Sequence, residues 1–149
     1  MAKAFTSLAA TAVILIAAAA LSCTSNRKPE IFGKWTITGF KFGGISALGE
    51  PEARQMVGKV AVITAHEITF DGTTSPLTRL ETHRADAADY FADGYRTTPE
   101  TVGIMAKDVR IVTTDCSLAP FSEFIQLSDA RLMVSIEGVF FILARKGAP

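Results

Sequence analysis

The chain has 149 residues, 48% of them apolar and 20% charged, and its 15 basic residues are balanced by 15 acidic ones. Near neutrality argues against a phosphate-neutralising basic face, and so against a nucleic-acid partner. The length is that of one domain able to bury roughly two thirds of its unfolded surface, so no disulfide staple is needed. At the start, one charge (Lys3) precedes an apolar run over residues 8–21 that only Thr11 interrupts. These 14 residues fall short of the about 20 that cross a hydrocarbon core, and suit the apolar segment of a secretory signal. Residues 1–22 are therefore expected to be removed.

The run closes on Ala20-Leu21-Ser22-Cys23. A small residue directly before a cysteine at this place resembles the lipobox of bacterial lipoproteins, with Leu two residues before the cysteine where the pattern has it three before. The resemblance implies a lipoprotein signal peptide over 1–22 and a lipidated Cys23 that holds the chain on a membrane. Cleavage after residues 17–20 by the ordinary signal peptidase is the alternative. Residues 23–30, the cysteine followed by TSNRKPE, read as a polar tether. By the same resemblance, Thr24 in place of an Asp implies the outer membrane, facing the periplasm. Lipidation of Cys23 leaves Cys116 as a free, partly buried thiol; without it, a Cys23–Cys116 disulfide is the alternative. Thr114, Asp115 and Ser117 offer no positive charge to lower the Cys116 pKa, so no catalytic role is expected of it.

The domain is expected over 31–149. Trp35 and Ile37 alternate with Thr36 and Thr38 as in a half-buried strand, and the apolar phase flips at Gly39, which predicts a bulge. Gly33-Lys34-Trp35 resembles the G-x-W that opens the first strand of lipocalins and related calycin barrels, where the Trp plugs one end. A core Trp at the start of some other β-domain is the alternative. Residues 43–49 form a loop in which Gly44-Ile45-Ser46-Ala47-Leu48 lacks the second glycine of a nucleophile elbow. A short helix follows over 51–57, stopped by Gly58.

Residues 59–71 predict a hairpin pairing Val60 with Phe70 and Val62 with Ile68, with His66 at the loop tip and no second histidine at zinc spacing. Asp71-Gly72 starts another turn. Residues 78–83 read as an edge strand, with Leu80 as its apolar member; a sharper reading aims Arg79, Glu81 and His83 into a polar cavity. A helix is expected over 86–94, capped by Asp86, anchored by Tyr90 and Phe91 and stopped at Gly94. Its Asp86, Asp89 and Asp93 lack calcium-loop spacing and read as a solvated face. Thr98-Pro99-Glu100 opens a further helical turn.

Strands are then expected over 109–114, 121–127, 131–136 and 139–145. A Glu137-Gly138 turn places Ile136 opposite Val139, Val134 opposite Phe141 and Leu132 opposite Leu143 on one apolar face. The opposite face carries Phe140 and Ile142 beside Met133 and Ser135, and it needs a cover: a helix of the same chain, with the one around Met56 and Val57 the favoured candidate, a partner, or lipid.

The fold expected is mainly β: a small antiparallel lipocalin-like β-barrel of about seven to eight strands with two or three short helical insertions. No nucleotide loop, metal cluster or nucleophile with a base is found, so neither enzyme nor cofactor is expected. The first expectation is a membrane-anchored binding module for a small apolar or amphipathic ligand, lined by Trp35, Phe40, Phe70 and Phe141. The second is a protein-interaction module, such as a periplasmic enzyme inhibitor, immunity protein or envelope assembly factor, presenting Phe140 and Ile142 to its partner.

Overall fold

The computed structural model describes residues 31–145. The leader 1–22 and the lipidated cysteine and tether of 23–30 lie outside the described residues. In chain order the elements are β1 (Gly33–Phe42), α1 (Glu50–Met56), β2 (Val60–Ile63), β3 (Glu67–Phe70), β4 (Thr73–Pro76) and β5 (Leu80–Asp86). Then come α2 (Ala87–Tyr95), a 3-10 turn (Glu100–Val102), β6 (Asp108–Thr114), α3 (Ala119–Ser122), β7 (Glu123–Ser128), β8 (Arg131–Ile136) and β9 (Val139–Arg145). Every pairing is antiparallel, and the sheet order is β4-β3-β2-β1-β9-β8-β7-β6-β5. Two meanders are thus joined along β1 and β9 into one mainly β, nine-stranded sheet curled into a half-barrel, with three short helices.

Local chemistry accounts for most joints. Glu137 and Gly138 both take positive φ, the pattern of a two-residue turn whose twist matches the strands, and β8 pairs with β9 in the register that turn requires. Asp71 and Gly72 do the same between β3 and β4, which adds the ninth strand. Thr73-Thr74-Ser75-Pro76 carries no apolar alternation, so only the turn was legible there. The pairing of β1 with β9 shifts between Ile37 and Gly39, the bulge expected at the phase change.

Three local expectations need correction. The β2–β3 register pairs Ala61 with Phe70 and Ile63 with Ile68, so Ala61 and Ile63, not Val60 and Val62, face inward. The cause is Thr64: its hydroxyl accepts from the amides of His66 (3.3 Å) and Glu67 (3.1 Å) and closes a turn on Ala65 and His66. Helix α2 runs through Gly94 and ends on Arg96 in the left-handed conformation. Phe121 and Ser122 belong to α3, set by Pro120 in its first turn, so β7 begins only at Glu123.

Each face of the sheet carries a buried cluster. The inner face gathers Trp35, Ile37, Ile63, Ile68, Val112, Phe124, Leu132, Phe141 and Leu143 into one core, closed at an end by Ala53 and Met56 of α1. The outer face of β6 to β9 packs Ile111, Ile125, Met133 and Phe140 against Ala87 and Phe91 of α2, with Val102 and Ile104. The cover over Phe140 is therefore α2 and the 3-10 turn, not the helix at Met56. The Asp86 side chain accepts from the Asp89 amide and starts α2, and the connection from β5 to β6 carries the helix back across the sheet.

The half-barrel is open. β4 and β5 stand at opposite ends of the sheet order with no ladder between them. Side chains hold the seam at one end. The Ser75 hydroxyl lies 2.9 Å from the Ser117 hydroxyl and accepts from the Ser117 amide. The Asp115 carboxylate accepts from the amides of Thr78 and Arg79 at 3.0 Å and from the Thr78 hydroxyl. The Thr78 hydroxyl, then the two amides, hold the Asp115 carboxyl down at about 2 from its ordinary 3.8. A lowered native pKa stabilises the fold at pH above the unfolded value and ceases to as pH falls through the native one. The melting temperature of Asp115→Ala should accordingly lie below that of the native chain at pH 6, with the gap closing between about pH 4 and pH 2. A gap that stays constant over that window would show that the carboxylate does not hold the seam.

Candidate functional site

The four aromatics expected to line a ligand chamber are packed core. Trp35 and Phe141 are 0% exposed and Phe70 is 9% exposed, while Phe40 is half-buried. Phe40 stacks on Phe42 and Phe141, and Phe70 on Phe121. Among the described residues, none of the four lines the clefts along β5 to β7 or beside α2. Trp35 is a buried core residue: its indole N–H donates to the Ile31 carbonyl at 2.8 Å, and the Arg145 guanidinium lies 4.5 Å over its ring. Phe140, expected on a partner face, is also covered, with its ring 5.5 Å from Phe91 and 4.9 Å from Tyr95. Ile142 is half-buried at the margin of the same cluster.

The open part of the inner face lies along β5 to β7. One cross-strand rung runs Ile37, Leu143, Leu132, Gln126, Arg110, Arg84, each residue directly opposite the next, and so all on one face. Its first three members are buried apolar core; its last two are exposed arginines. Here a cleft of about 430 Å³ is lined by Ile31, Leu80, Thr82, His83, Arg84, Arg110 and Gln126. A second cleft of about 260 Å³ shares Arg84, Arg110 and Gln126 and adds Asp108 and Asp129 on its far side. The Arg110 guanidinium donates to the Gln126 side-chain oxygen at 3.3 Å.

The edge strand with Leu80 as its inward apolar member is as expected; of the sharper reading, which aims Arg79, Glu81 and His83 into a polar cavity, only His83 reaches a cleft. Leu80 packs on the inner core and Ala85 on the outer one, so the inward set is Leu80, Thr82 and Arg84, while Arg79 and Glu81 point outward as an ion pair at 3.9 Å. His83 reaches the cleft rim from the edge strand. Arg84 falls outside the 78–83 strand expected from the sequence, and Arg110 and Gln126 meet it only through the pairing of three strands. Extending the alternation through Asp86 puts Arg84 in phase with Leu80, the one signal that would have found it.

Other titratable groups serve packing. Tyr90 donates to Glu123 at 2.7 Å, and its hydroxyl lies 3.3 Å from that of Tyr95. Burial, with these hydrogen bonds, pushes the Tyr90 phenol far above its ordinary range; burial also raises Tyr95. Both stay protonated and pin α2 to the start of β7, beside an acidic rim of Asp86, Asp89 and Asp93. Cys116 is a free, buried thiol whose amide donates to the Thr114 hydroxyl, and Cys23 lies outside the described residues. His66 and Ser46 are exposed loop residues, and the Ser46 hydroxyl donates to the Leu48 carbonyl. Among the described residues, no three or more His, Cys, Asp or Glu side chains gather as metal ligands, and no helix is long and apolar enough to cross a membrane.

Set against protein-family models, curated proteins and solved structures, the chain finds no match in any of the three.

Proposed function

We propose that this chain is a non-enzymatic binding module of the bacterial envelope, anchored through lipidated Cys23 to the periplasmic face of the outer membrane, that takes a small amphipathic ligand. The lipocalin-like curl serves in this reading as an open trough, since the interior is filled by its own aromatics. The observation that carries it is the inner-face rung, which passes from buried Ile37, Leu143 and Leu132 to the cationic pair Arg110 and Arg84. A ligand with an apolar body and a polar end meets matching surfaces there, with Ile31 and Leu80 beside the arginines in one cleft.

Native mass spectrometry of the chain, released from the membrane in a mild detergent, is expected to show one small molecule retained per protein. Retention should fall sharply in Arg84→Ala. A bare protein whose unfolding temperature no short-chain amphiphile shifts would overturn the reading.

The alternative, a protein-interaction module, is favoured by one observation: β5 is a seven-residue edge strand, to which an extended segment of a partner can add. A single stoichiometric protein retained from envelope extract, with no small molecule bound, would select it.

A further inference from the structure

We infer that β5 is a self-pairing edge, along which a second copy of this chain adds antiparallel to form a two-fold symmetric dimer centred on Thr82. The Asp115 amide donates to the Arg79 carbonyl and the Ala87 amide to the Lys107 carbonyl, at either end of a register that runs unbroken from Leu80 with Thr114 to Asp86 with Asp108. Backbone direction alternates along an antiparallel ladder. Glu81, His83 and Ala85 therefore turn their N–H and C=O groups to β6, while Leu80, Thr82, Arg84 and Asp86 turn theirs to the open edge. Residues 81–84 are exposed, and among the described residues no strand pairs with that edge. β5 also lacks the usual guards of an edge: no proline, lysine or bulge interrupts it, whereas β4 at the other end of the sheet is four residues long and ends on Pro76.

The order of side chains selects the register. A two-fold axis through Glu81 or Arg84 would set like charges directly opposite each other. An axis through Leu80 calls on Thr78, whose amide and hydroxyl Asp115 already holds, and one through Ala85 brings the start of α2 into the ladder. An axis through His83 opposes two imidazoles and sets Leu80 against Asp86, whose carboxylate caps α2. Centred on Thr82, the strand is complementary to itself. Leu80, Thr82 and Arg84 meet Arg84, Thr82 and Leu80 of the partner subunit, and each of these pairs exchanges two backbone hydrogen bonds. On the other face Glu81 meets His83 of the partner subunit on both sides of the axis, in the closer positions where Cα atoms stand about 4.5 Å apart. Neutral or charged, the imidazole has an N–H to give that carboxylate. Arg84, the one charge that β5 carries on its inner face, lies across from Leu80 of the partner subunit, where its stem covers apolar surface. Such an interface is isologous and closes at two copies. It forms with the cleft empty or filled.

Sedimentation equilibrium of the full chain in a density-matched detergent is the test, and the native chain should show a reversible monomer–dimer equilibrium. Thr82→Pro deletes an N–H that points away from β6, so the melting temperature should change little, while the two hydrogen bonds lost across the axis should weaken the dimer tenfold or more. His83→Glu sets like charges opposite each other twice and should weaken it as well; adding Glu81→His exchanges the two roles and should restore it. A native chain that stays monomeric would overturn the dimer and leave the edge to a segment of some other protein. A dimer equally tight in Thr82→Pro and His83→Glu would place the contact elsewhere and overturn the β5 interface. Should Thr82→Pro fail to fold, the His83→Glu chain and its double variant decide: weakening followed by recovery upholds the Thr82-centred register, and the lack of either overturns it.

Discussion

Phe140→Asp is expected to abolish the cooperative unfolding transition of the domain. The ring is 1% exposed and sits between Phe91 and Tyr95, so its removal forfeits about 3–5 kcal/mol of burial and packing. The carboxylate that replaces it must ionise without a partner in an apolar layer or take up a proton, and either adds several kcal/mol more. Together these approach the whole of a typical stability of about 5–15 kcal/mol. Phe140→Leu, which keeps an apolar side chain, should cost much less and preserve a single transition. Ile142→Asp, at the half-buried margin, should fall between the two. Circular dichroism melts decide the matter. A well-folded Phe140→Asp chain would mean that α2 does not cover this face in solution, and would return Phe140 to the surface as a docking residue.

The second large effect is expected at Trp35. Trp35→Ala removes a fully buried indole and should cost about 3–5 kcal/mol in chemical denaturation. The same cluster explains Gly33. Its φ of +149° belongs to a region side chains rarely adopt, and a Cβ there would come within 2.8 Å of an Arg145 guanidinium nitrogen. That guanidinium is spoken for: it lies over Trp35, donates to the Phe32 carbonyl at 2.9 Å and to the Asp129 carbonyl at 3.2 Å. Gly33→Ala should therefore destabilise by about 1–3 kcal/mol, through backbone strain and the displaced arginine. The two causes separate in a double-mutant cycle with Arg145→Ala, in which the second Gly33→Ala step should be cheaper than the first. Strict additivity would place the whole cost in the backbone.

These two sites also bear on how the proposed binding function and a stable fold share one sheet. Phe140 and Trp35 belong to layers that the chain seals with its own residues, α2 over Phe140 and Arg145 over Trp35. What remains open is the inner surface of β5 to β7, at the seam where the strand order stops. Arg84 lies there on the exposed edge strand, and its substitution touches neither buried layer.

Much of this was legible in the sequence because it rests on interactions within a few residues of each other. Glu137-Gly138 specifies its turn and hence the β8–β9 register; Gly39 marks the bulge; Asp86 caps α2; the 2.0-residue alternation around Trp35 sets β1. The sequence also showed that the face of Phe140 must be covered. It did not show by what, because α1 and α2 are both short amphipathic helices, and which one lies over β9 depends on the path of the 87–107 connection. The inward face of β5 was likewise undecided: an edge strand is half solvated, so its alternation is weak, and only its pairing with β6 assigns Arg84 to the side of Val112 and not of Ile111. Turns, caps and bulges are local and were settled by residue type; the cover, the open seam and the meeting of Arg84 with Arg110 join residues far apart in the chain, and only the strand pairings and helix packing of the whole fold could decide them.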